Sequence, residues 1–185
     1  MKKSQLDHVL RAARRITGET QFIIIGSQSL HASRPDVPDT ILPSIEVDLI
    51  ANNQRDRTDW LNVIGVDSPF HQSFGYYADP VDETTAVLPA GWNERLVRLA
   101  PGDTDGATGL CLDPHDLAIS KYAARREKDI VFNREMARLG IVGRKKLLDL
   151  LDTTPLSASR KSAMRGFITA DFAHPPAPRR VRGGR

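Results

Sequence analysis

The sequence predicts an α+β fold with a mixed β-sheet of about five strands, helices mostly on one face of that sheet, and a helical C-terminal part. Three observations predict it. An apolar, β-branched run, Phe22 to Ile25, is typical of a buried strand. A segment of alternating apolar and acidic residues, Ser44 to Ile50, indicates a second strand. Beyond residue 113, helix start and stop signals dominate.

These signals divide the chain into three parts. Residues 1–113 are expected to form the sheet core, residues 114–172 a helical part packed on it, and residues 173–185 a basic, disordered tail. Prolines and arginines dominate the tail, and such a composition does not support a packed helix. With 185 residues, the chain is long enough for one domain with a sizeable core, or for a domain with a helical appendage.

The net charge of +3 comes from the tail. The last seven residues contain four arginines and no acid, which leaves a net charge of −1 on the rest of the chain. A dedicated nucleic-acid-binding domain is therefore disfavoured, because such domains carry a basic surface. The tail by itself has the charge to contact RNA or another polyanion.

Composition also restricts the compartment. The first 17 residues include five basic ones and lack the apolar core of a signal peptide, and no stretch approaches the ~20 apolar residues of a membrane helix. The single cysteine, Cys111, excludes an internal disulfide and a cysteine-based zinc site, and its apolar neighbours predict a buried strand position. We expect a cytoplasmic protein with no membrane partner.

Local patterns predict the first elements of the sheet core. Helical periodicity indicates a helix from Ser4 to Ile16, which Gly18 ends in a C-cap position. The elements expected next are a strand from Gln21 to Gly26, a short helix from Gln28 to Ala32, and a proline-rich loop from Ser33 to Pro43 with a helical turn after Pro38.

The remaining core elements are a helix and three short strands. They are expected at Gln54–Ile64, Thr84–Leu88, Leu96–Leu99 and Gly109–Leu112. In the helix, Trp60, Leu61 and Ile64 are expected to face inward. The aromatic segment 68–78 is expected to be a loop that leads into a strand beside the site. Four aspartates are expected in turns: Asp79, Asp82, Asp103 and Asp105.

The helical part begins with a clear capping signal. Asp113 is a suitable N-cap and Pro114 a suitable first helical residue, and we expect this helix to continue through Asp129. The stretch Phe132–Leu139 is expected to continue this helix to Gly140, and two further helices are expected at Arg144–Leu150 and Ser157–Phe172.

The end of the first strand offers a place for phosphate. Gly26 lets a ligand approach the backbone, and the first N–H groups of the short helix that follows Ser27 point toward that ligand. Glu46 and Asp48 project to one face of the next strand, with backbones roughly 7 Å apart. Like charges at this spacing require a compensating cation, and Mg²⁺ binds carboxylate and phosphate oxygens. The alternative is that both acids form the solvated face of an edge strand.

A second candidate cluster lies in the first helix of the helical part. Lys121, Arg125 and Asp129 are four residues apart and share one face of a continuous helix. Such a stripe can bind triphosphate oxygens while the acid holds the basic groups in place. The alternative is an exposed helix with ordinary ion pairs, which contribute little.

The Gly26-Ser27 turn and the Glu46-x-Asp48 strand resemble the signature of the DNA polymerase beta-type nucleotidyltransferase superfamily. The nearest resemblance is to the nucleotidyltransferase-like proteins grouped near the AbiEii-type toxins, which the segments 71–77 and 116–129 also resemble. The family pattern has Asp where this chain has Glu46, and a shorter gap before it.

The resemblance implies Mg²⁺-dependent transfer of a nucleoside monophosphate from a nucleoside triphosphate to a tRNA or protein acceptor. It also implies a toxin–antitoxin context with a cognate toxin or antitoxin protein. The implied catalytic residues are Glu46, Asp48 and Asp129, of which Glu46 and Asp48 are the metal ligands. The implied nucleotide ligands are Gly26, Ser27, Lys121 and Arg125. A third carboxylate is implied on a later strand.

Two other classes stay open. The chain is alternatively a non-catalytic nucleotidyltransferase-fold module that binds a nucleotide or a partner protein, which the replacement by Glu46 favours. It is otherwise the antitoxin-side member of a toxin–antitoxin pair. If substitution of Asp48 had no effect on the protein's function, that result would favour the binding module over the enzyme.

Overall fold

A computed structural model describes residues 1–36, 38 and 41–173. The tail predicted from residue 173 lies outside the described residues from residue 174 onward. Residues 37, 39 and 40 of the predicted loop lie outside them too, so the helical turn expected after Pro38 is only partly described.

The predicted mixed sheet of five strands is confirmed. The strands are β1 (Gln21–Ile24), β2 (Glu46–Ala51), β3 (Tyr77–Pro80), β4 (Val97–Arg98) and β5 (Thr108–Cys111). Their order across the sheet is β3-β2-β1-β5-β4. β1 is antiparallel to β2 and parallel to β5, β3 is parallel to β2, and β4 is antiparallel to β5. The antiparallel β1–β2 pair places the end of β1 beside the start of β2.

The helices agree with the expected ones except for a break after Ala124 and for α3, which was not expected. They are α1 (Lys3–Thr17), α2 (Leu30–Ser33), α3 (Pro69–Phe74), α4 (Pro114–Ala124), α5 (Glu127–Arg138), α6 (Arg144–Thr153) and α7 (Ala158–Phe172). The predicted caps are present, because Asp113 accepts a hydrogen bond from the His115 amide and Gly18 adopts a left-handed conformation after α1. The expected continuous helix through Asp129 is wrong, since α4 ends at Ala124 and α5 begins anew.

Helices cover both faces of the sheet, so the expectation of helices mostly on one face is only partly met. One face packs the apolar side of α1 against the alternate residues Phe22, Ile24, Val47 and Leu49. The other face packs α4, α6 and α7 against Ile23 and Ile50. Because strand side chains alternate, Asp48 and Glu46, two and four residues before Ile50 in β2, also face the helical part.

The segment expected as a helix at 54–64 is a long 3₁₀ helix, Arg55–Ile64. With three residues per turn, positions three apart line up on one side. Thr58, Leu61 and Ile64 are therefore the buried row, whereas Trp60 is half exposed. The expected inward position of Trp60 was wrong because an α-helical period does not apply here.

Two local predictions between β2 and β4 were also wrong. The segment 68–78 contains the helix α3, which Ser68 caps, before β3 begins where a strand was expected. The strand expected at Thr84–Leu88 is a 3₁₀ turn at Glu83–Thr85 followed by irregular backbone. Asp82 accepts a hydrogen bond from the Thr84 amide at 2.7 Å, and such a cap favours a turn over a ladder.

A buried ion pair joins the sheet part to the helical part. The Arg95 Nε and Nη2 atoms donate to the two carboxylate oxygens of Asp116 at 2.9 and 2.8 Å, and Asp116 is fully buried. Cys111 lies buried in β5, as predicted. Among the described residues, no helix combines the length and apolar character needed to cross a membrane.

We predict that Asp116→Ala lowers the free energy of unfolding by about 2 kcal/mol, because it removes a fully buried carboxylate and leaves the partly buried Arg95 guanidinium without its ionic partner. Urea denaturation followed by circular dichroism measures this loss. Asp149→Ala is the matched control, since its ion pair with Lys145 is exposed on both sides. Its loss should stay below about 0.5 kcal/mol. Equal losses in the two variants would contradict the prediction.

Candidate functional site

Three acidic residues lie on neighbouring strands on the face of the sheet that the helical part covers. β2 carries Glu46 and Asp48 on this face, and the parallel register pairs Asp48 with Asp79 of β3. Adjacent strands lie about 4.8 Å apart, so Asp79 stands directly beside Asp48. Asp79 was expected in a turn, and that expectation was wrong. It occupies the later-strand position at which a third carboxylate is implied.

Gly26 makes the position of Asp48 possible. A Cβ atom on Gly26 would lie 1.9 Å from Asp48 Oδ2 and 2.9 Å from its Cγ. The backbone of Gly26 is extended, with φ −90° and ψ −167°, so contact and not conformation demands glycine here. The space above Gly26 is thus filled by the Asp48 carboxylate.

The electrostatics of the three acids show mutual repulsion. Burial first, and then the charges of Glu46 and Asp79, raise the pKa of Asp48 to about 6 against the opposing effect of Lys121 and Lys128. Burial and Glu46 likewise raise the pKa of Asp79. The trio therefore holds more negative charge than its surroundings balance.

Tyr77 braces the first acid of the trio. Its hydroxyl donates to Glu46 Oε2 at 2.9 Å from the paired position on β3. Burial first, and then the hydrogen bond to Glu46 and its charge, raise the pKa of Tyr77 to about 12. Tyr77 is therefore a neutral donor that fixes one carboxylate oxygen and leaves the other available.

The break between α4 and α5 changes which arginine faces the site. Arg125 adopts a left-handed conformation with φ 53°, and its guanidinium lies over the Phe167 ring, 3.1 Å from the centroid. The structure therefore places Arg125 away from the carboxylates. Arg126 turns toward them instead, and the charges of Asp48 and Glu46 contribute to its raised pKa after the Asp129 hydrogen bond.

Asp129 gathers the cations of this side. Lys121 Nζ lies 3.2 Å from Asp129 Oδ1, and Arg126 Nε lies 2.7 Å from Asp129 Oδ2. Asp129 is 1% exposed. Burial alone would raise its pKa, but hydrogen bonds from Arg126 and the charge of Lys121 lower it. The arrangement makes Asp129 an ionised anchor for two basic groups.

A cavity of about 270 Å³ separates the carboxylates from the helices. Its ionisable lining residues are Asp48 on the sheet side and Lys121, Arg126 and Arg160 on the helix side. Arg160 of α7 also donates to the Ala123 carbonyl at the end of α4, at 3.1 Å. Three cations facing one carboxylate form a pocket suited to a polyanion that carries its own cation.

The turn after β1 contributes less than the sequence suggests. Ser27 begins a 3₁₀ turn, Ser27–Ser29, and α2 adds only four residues, so no long helix points its dipole at the site. Within the described part of the chain, the Ser27 hydroxyl has no hydrogen-bond partner and can serve a ligand.

Sequence reasoning missed Asp79, Arg126 and Arg160. The alternation of Tyr77, Ala78 and Asp79 was a signal for the first, since it repeats the pattern of β2. No local signal identifies Arg160, because its approach to Lys121 depends on how α7 packs on α4.

The donor set suits Mg²⁺ only in combination with a substrate. Across residues 1–36, 38 and 41–173, no three Asp, Glu, His or Cys side chains converge as a ready-made metal site. Mg²⁺ is ordinarily held by one or two carboxylates plus phosphate oxygens and water, which is what Glu46 and Asp48 offer beside a cation-lined pocket. The unbalanced negative charge at Asp48 is the observation that supports this fit.

A mixed sheet that carries acidic side chains on neighbouring strands, covered by helices that carry basic ones, defines a nucleotidyltransferase-like protein. The chain belongs to the family described as "Nucleotidyltransferase of unknown function (DUF6036)", whose model matches residues 4–165. No curated protein and no solved structure matches the chain. The resemblance to nucleotidyltransferases is thereby confirmed, and the closeness to AbiEii-type toxins stays a prediction.

We predict that Gly26→Ala displaces Asp48 and weakens Mg²⁺-dependent nucleotide binding at least tenfold, because the new Cβ overlaps the carboxylate. Titration calorimetry with nucleoside triphosphates measures the change. Gly166→Ala is the control, since a Cβ there meets open space on α7. It should bind as the unmodified protein does and gain about 0.5–1 kcal/mol of stability. Unchanged binding by Gly26→Ala would refute the steric argument.

We predict that Asp48→Asn stabilises the protein at pH 7.5 by roughly 1–3 kcal/mol while abolishing Mg²⁺-dependent binding. The folded-state pKa of about 6 exceeds the ordinary 3.8, so stability falls as the pH rises between these values. Asp48→Asn has no charge to bury and does not lose this stability. The difference in free energy of unfolding between Asp48→Asn and the unmodified protein should therefore vanish near pH 4. Urea denaturation across this pH range tests it, with exposed Asp56→Asn as a control expected to show no such trend.

Proposed function

We propose that the chain is a Mg²⁺-dependent nucleotidyltransferase that moves a nucleoside monophosphate from a nucleoside triphosphate to a hydroxyl of an RNA or protein acceptor. The observation that carries this proposal is the opposition of Asp48, with its two acidic neighbours, to three cations across one cavity. Membership of a nucleotidyltransferase family supports it.

We propose that the triphosphate binds to Lys121, Arg126 and Arg160, which together are called the phosphate wall. Lys121, Arg126 and Arg160 present donors to phosphate oxygens, and Asp129 holds two of these cations in place. The Ser27 hydroxyl and the backbone at Gly26 lie at the sheet end of the same region. We therefore replace Arg125 by Arg126 in the predicted set of nucleotide ligands and add Arg160.

Glu46 and Asp48 would hold the metal ion. When bound there, Mg²⁺ supplies charge neutralisation and Lewis acidity at the α-phosphate. The protein's own contribution is to orient both carboxylates, which Tyr77 does for Glu46 through its hydrogen bond and Gly26 does for Asp48 by making room for it.

The proposed reaction is an in-line displacement at the α-phosphorus. A new bond forms between the acceptor oxygen and this phosphorus, and the bond to the bridging oxygen breaks. Pyrophosphate leaves with that electron pair, and the acceptor proton passes to Asp79. Asp79 suits this role better than Asp129, because burial and Glu46 raise its pKa whereas two cations keep Asp129 ionised and occupied.

A second candidate function is nucleotide or protein binding without chemistry. It is favoured by the absence of a converged metal site among the described residues and by the hydrogen bond that engages Glu46. The toxin–antitoxin context implied by the resemblance, with a cognate toxin or antitoxin partner, belongs to the same set of proposals. Nucleotide binding that changes neither on removal of Mg²⁺ nor on substitution of Asp48 would favour the non-catalytic binding module.

We predict that the protein binds a nucleoside triphosphate with Mg²⁺, and that Arg160→Ala weakens this binding about tenfold because a phosphate loses a charged hydrogen-bond donor. Calorimetric titration with each of the four triphosphates, with and without Mg²⁺, measures it. Asp48→Ala should abolish the Mg²⁺ dependence.

Arg165→Ala is the matched control for Arg160→Ala. Arg165 lies on the same helix but pairs with Asp152 and does not line the cavity. It should change affinity by less than twofold. If well-folded protein binds no triphosphate, the enzyme proposal fails, and equal effects of the two arginine variants would refute the proposed phosphate wall.

A further inference from the structure

A second groove continues from the site along the sheet. It has a volume of about 710 Å³, and Thr85 lines both this groove and the cavity beside Asp48. Its lining includes Ile50 of β2 and Val81, which directly follows β3, together with Thr58 and Asp59 of the 3₁₀ helix. The groove therefore lies at the β2–β3 edge of the sheet, and it meets the cavity at Thr85.

The stereochemistry of the proposed transfer assigns this groove a role. An in-line displacement needs the attacking oxygen on the opposite side of the α-phosphorus from the departing pyrophosphate. The phosphate wall of Lys121, Arg126 and Arg160 lies on the helix side of the carboxylates. The groove takes its lining from the β2–β3 edge and none of it from those helices, so it offers the acceptor an approach separate from the phosphate wall.

The charge of the groove is opposite to that of the phosphate wall. Its ionisable lining residues are three acids and one base: Asp59, Asp82, Glu83 and Arg55. Arg55 is engaged, because its Nη2 lies 2.8 Å from Glu83 Oε1 and its Nη1 donates to the Ala51 carbonyl at 2.9 Å. Among the described residues, Asp59 and Asp82 have no cationic partner, although Asp82 accepts hydrogen bonds from Thr84, and Thr58 and Thr85 also line the groove.

We propose that this groove binds the acceptor, and that the acceptor is a hydroxyl compound with positive charge close to that hydroxyl. The inference rests on the proposed function and names its substrate class. Two kinds of compound combine a hydroxyl with a nearby positive charge: a basic protein segment around a Ser, Thr or Tyr, and a small amino alcohol. An RNA acceptor is disfavoured, since its phosphates would face Asp59 and Asp82.

The first experiment measures transfer of α-labelled nucleotide to defined acceptors. The acceptors are a Ser-centred peptide flanked by lysines, the same peptide flanked by glutamates, an amino sugar, and total RNA. We expect the lysine peptide or the amino sugar to be labelled at least tenfold faster than the glutamate peptide and RNA, and which of the two is labelled identifies the source. Preferential labelling of RNA, or equal labelling of both peptides, would overturn the proposal.

The decisive variant neutralises the groove and leaves the carboxylate trio intact. Asp59→Asn with Asp82→Asn removes two charges, and asparagine at position 82 keeps the cap on Thr84. KM for the cationic acceptor should rise about fivefold with kcat nearly unchanged, the scale of two exposed charge contacts. Asp56→Asn is the control, since this acid is exposed on the same 3₁₀ helix and does not line the groove.

A binding measurement separates this inference from the proposed function. The lysine peptide with Ala in place of Ser cannot react, and its affinity is measured by titration without nucleotide. If the Kd of this peptide rises about fivefold in the double variant and stays unchanged in Asp56→Asn, the result supports acceptor binding in the groove even if no transfer occurs. An affinity that the double variant leaves unchanged overturns the groove, even if the protein proves to be a nucleotidyltransferase.

Discussion

Repulsion among Glu46, Asp48 and Asp79 is the constraint on which the rest of the structure depends. Burial is the larger cause of the raised pKa of Asp48 and this repulsion adds to it, while the charges of Lys121 and Lys128 across the cavity offset both only in part. A protein selected for stability alone would replace Asp48 by a neutral residue, because its raised pKa is a cost at neutral pH. Retaining the acid is consistent with a site that is completed by a cation and phosphate.

The sheet part and the helical part carry opposite net charges, and each contributes a different side of the site. Residues 1–113 contain 16 acidic and ten basic residues, whereas residues 114–172 contain seven acidic and 12 basic ones. The sheet part therefore provides carboxylates and an acidic groove, and the helical part provides the phosphate wall. The site lies where the two parts meet, and the buried pair of Arg95 with Asp116 fixes their relative position. Net charge alone, close to neutral without the tail, conceals this arrangement.

Local patterns predicted most elements of the fold and two acids of the site, and non-local pairing decided the rest. Alternation along β2 is a property of consecutive residues, so Glu46 and Asp48 were found together. Asp79 was missed because its place beside Asp48 depends on the parallel register of β3, and its Pro80 neighbour suggests a turn. Trp60 was misplaced because the sequence does not distinguish a 3₁₀ helix from an α-helix of the same length.

The break at Arg125 shows how a correct contact was predicted for an incorrect reason. Lys121 and Asp129 do meet, but not as neighbours on one continuous helix. Positions five apart on a continuous α-helix point roughly 140° from each other, so Lys121 and Arg126 would then face different directions. The left-handed residue at the break turns α5 so that both cations reach the same carboxylate. The phosphate wall therefore depends on the interruption of the helix, and a substitution that fuses α4 to α5 would dismantle it while leaving the helical content intact.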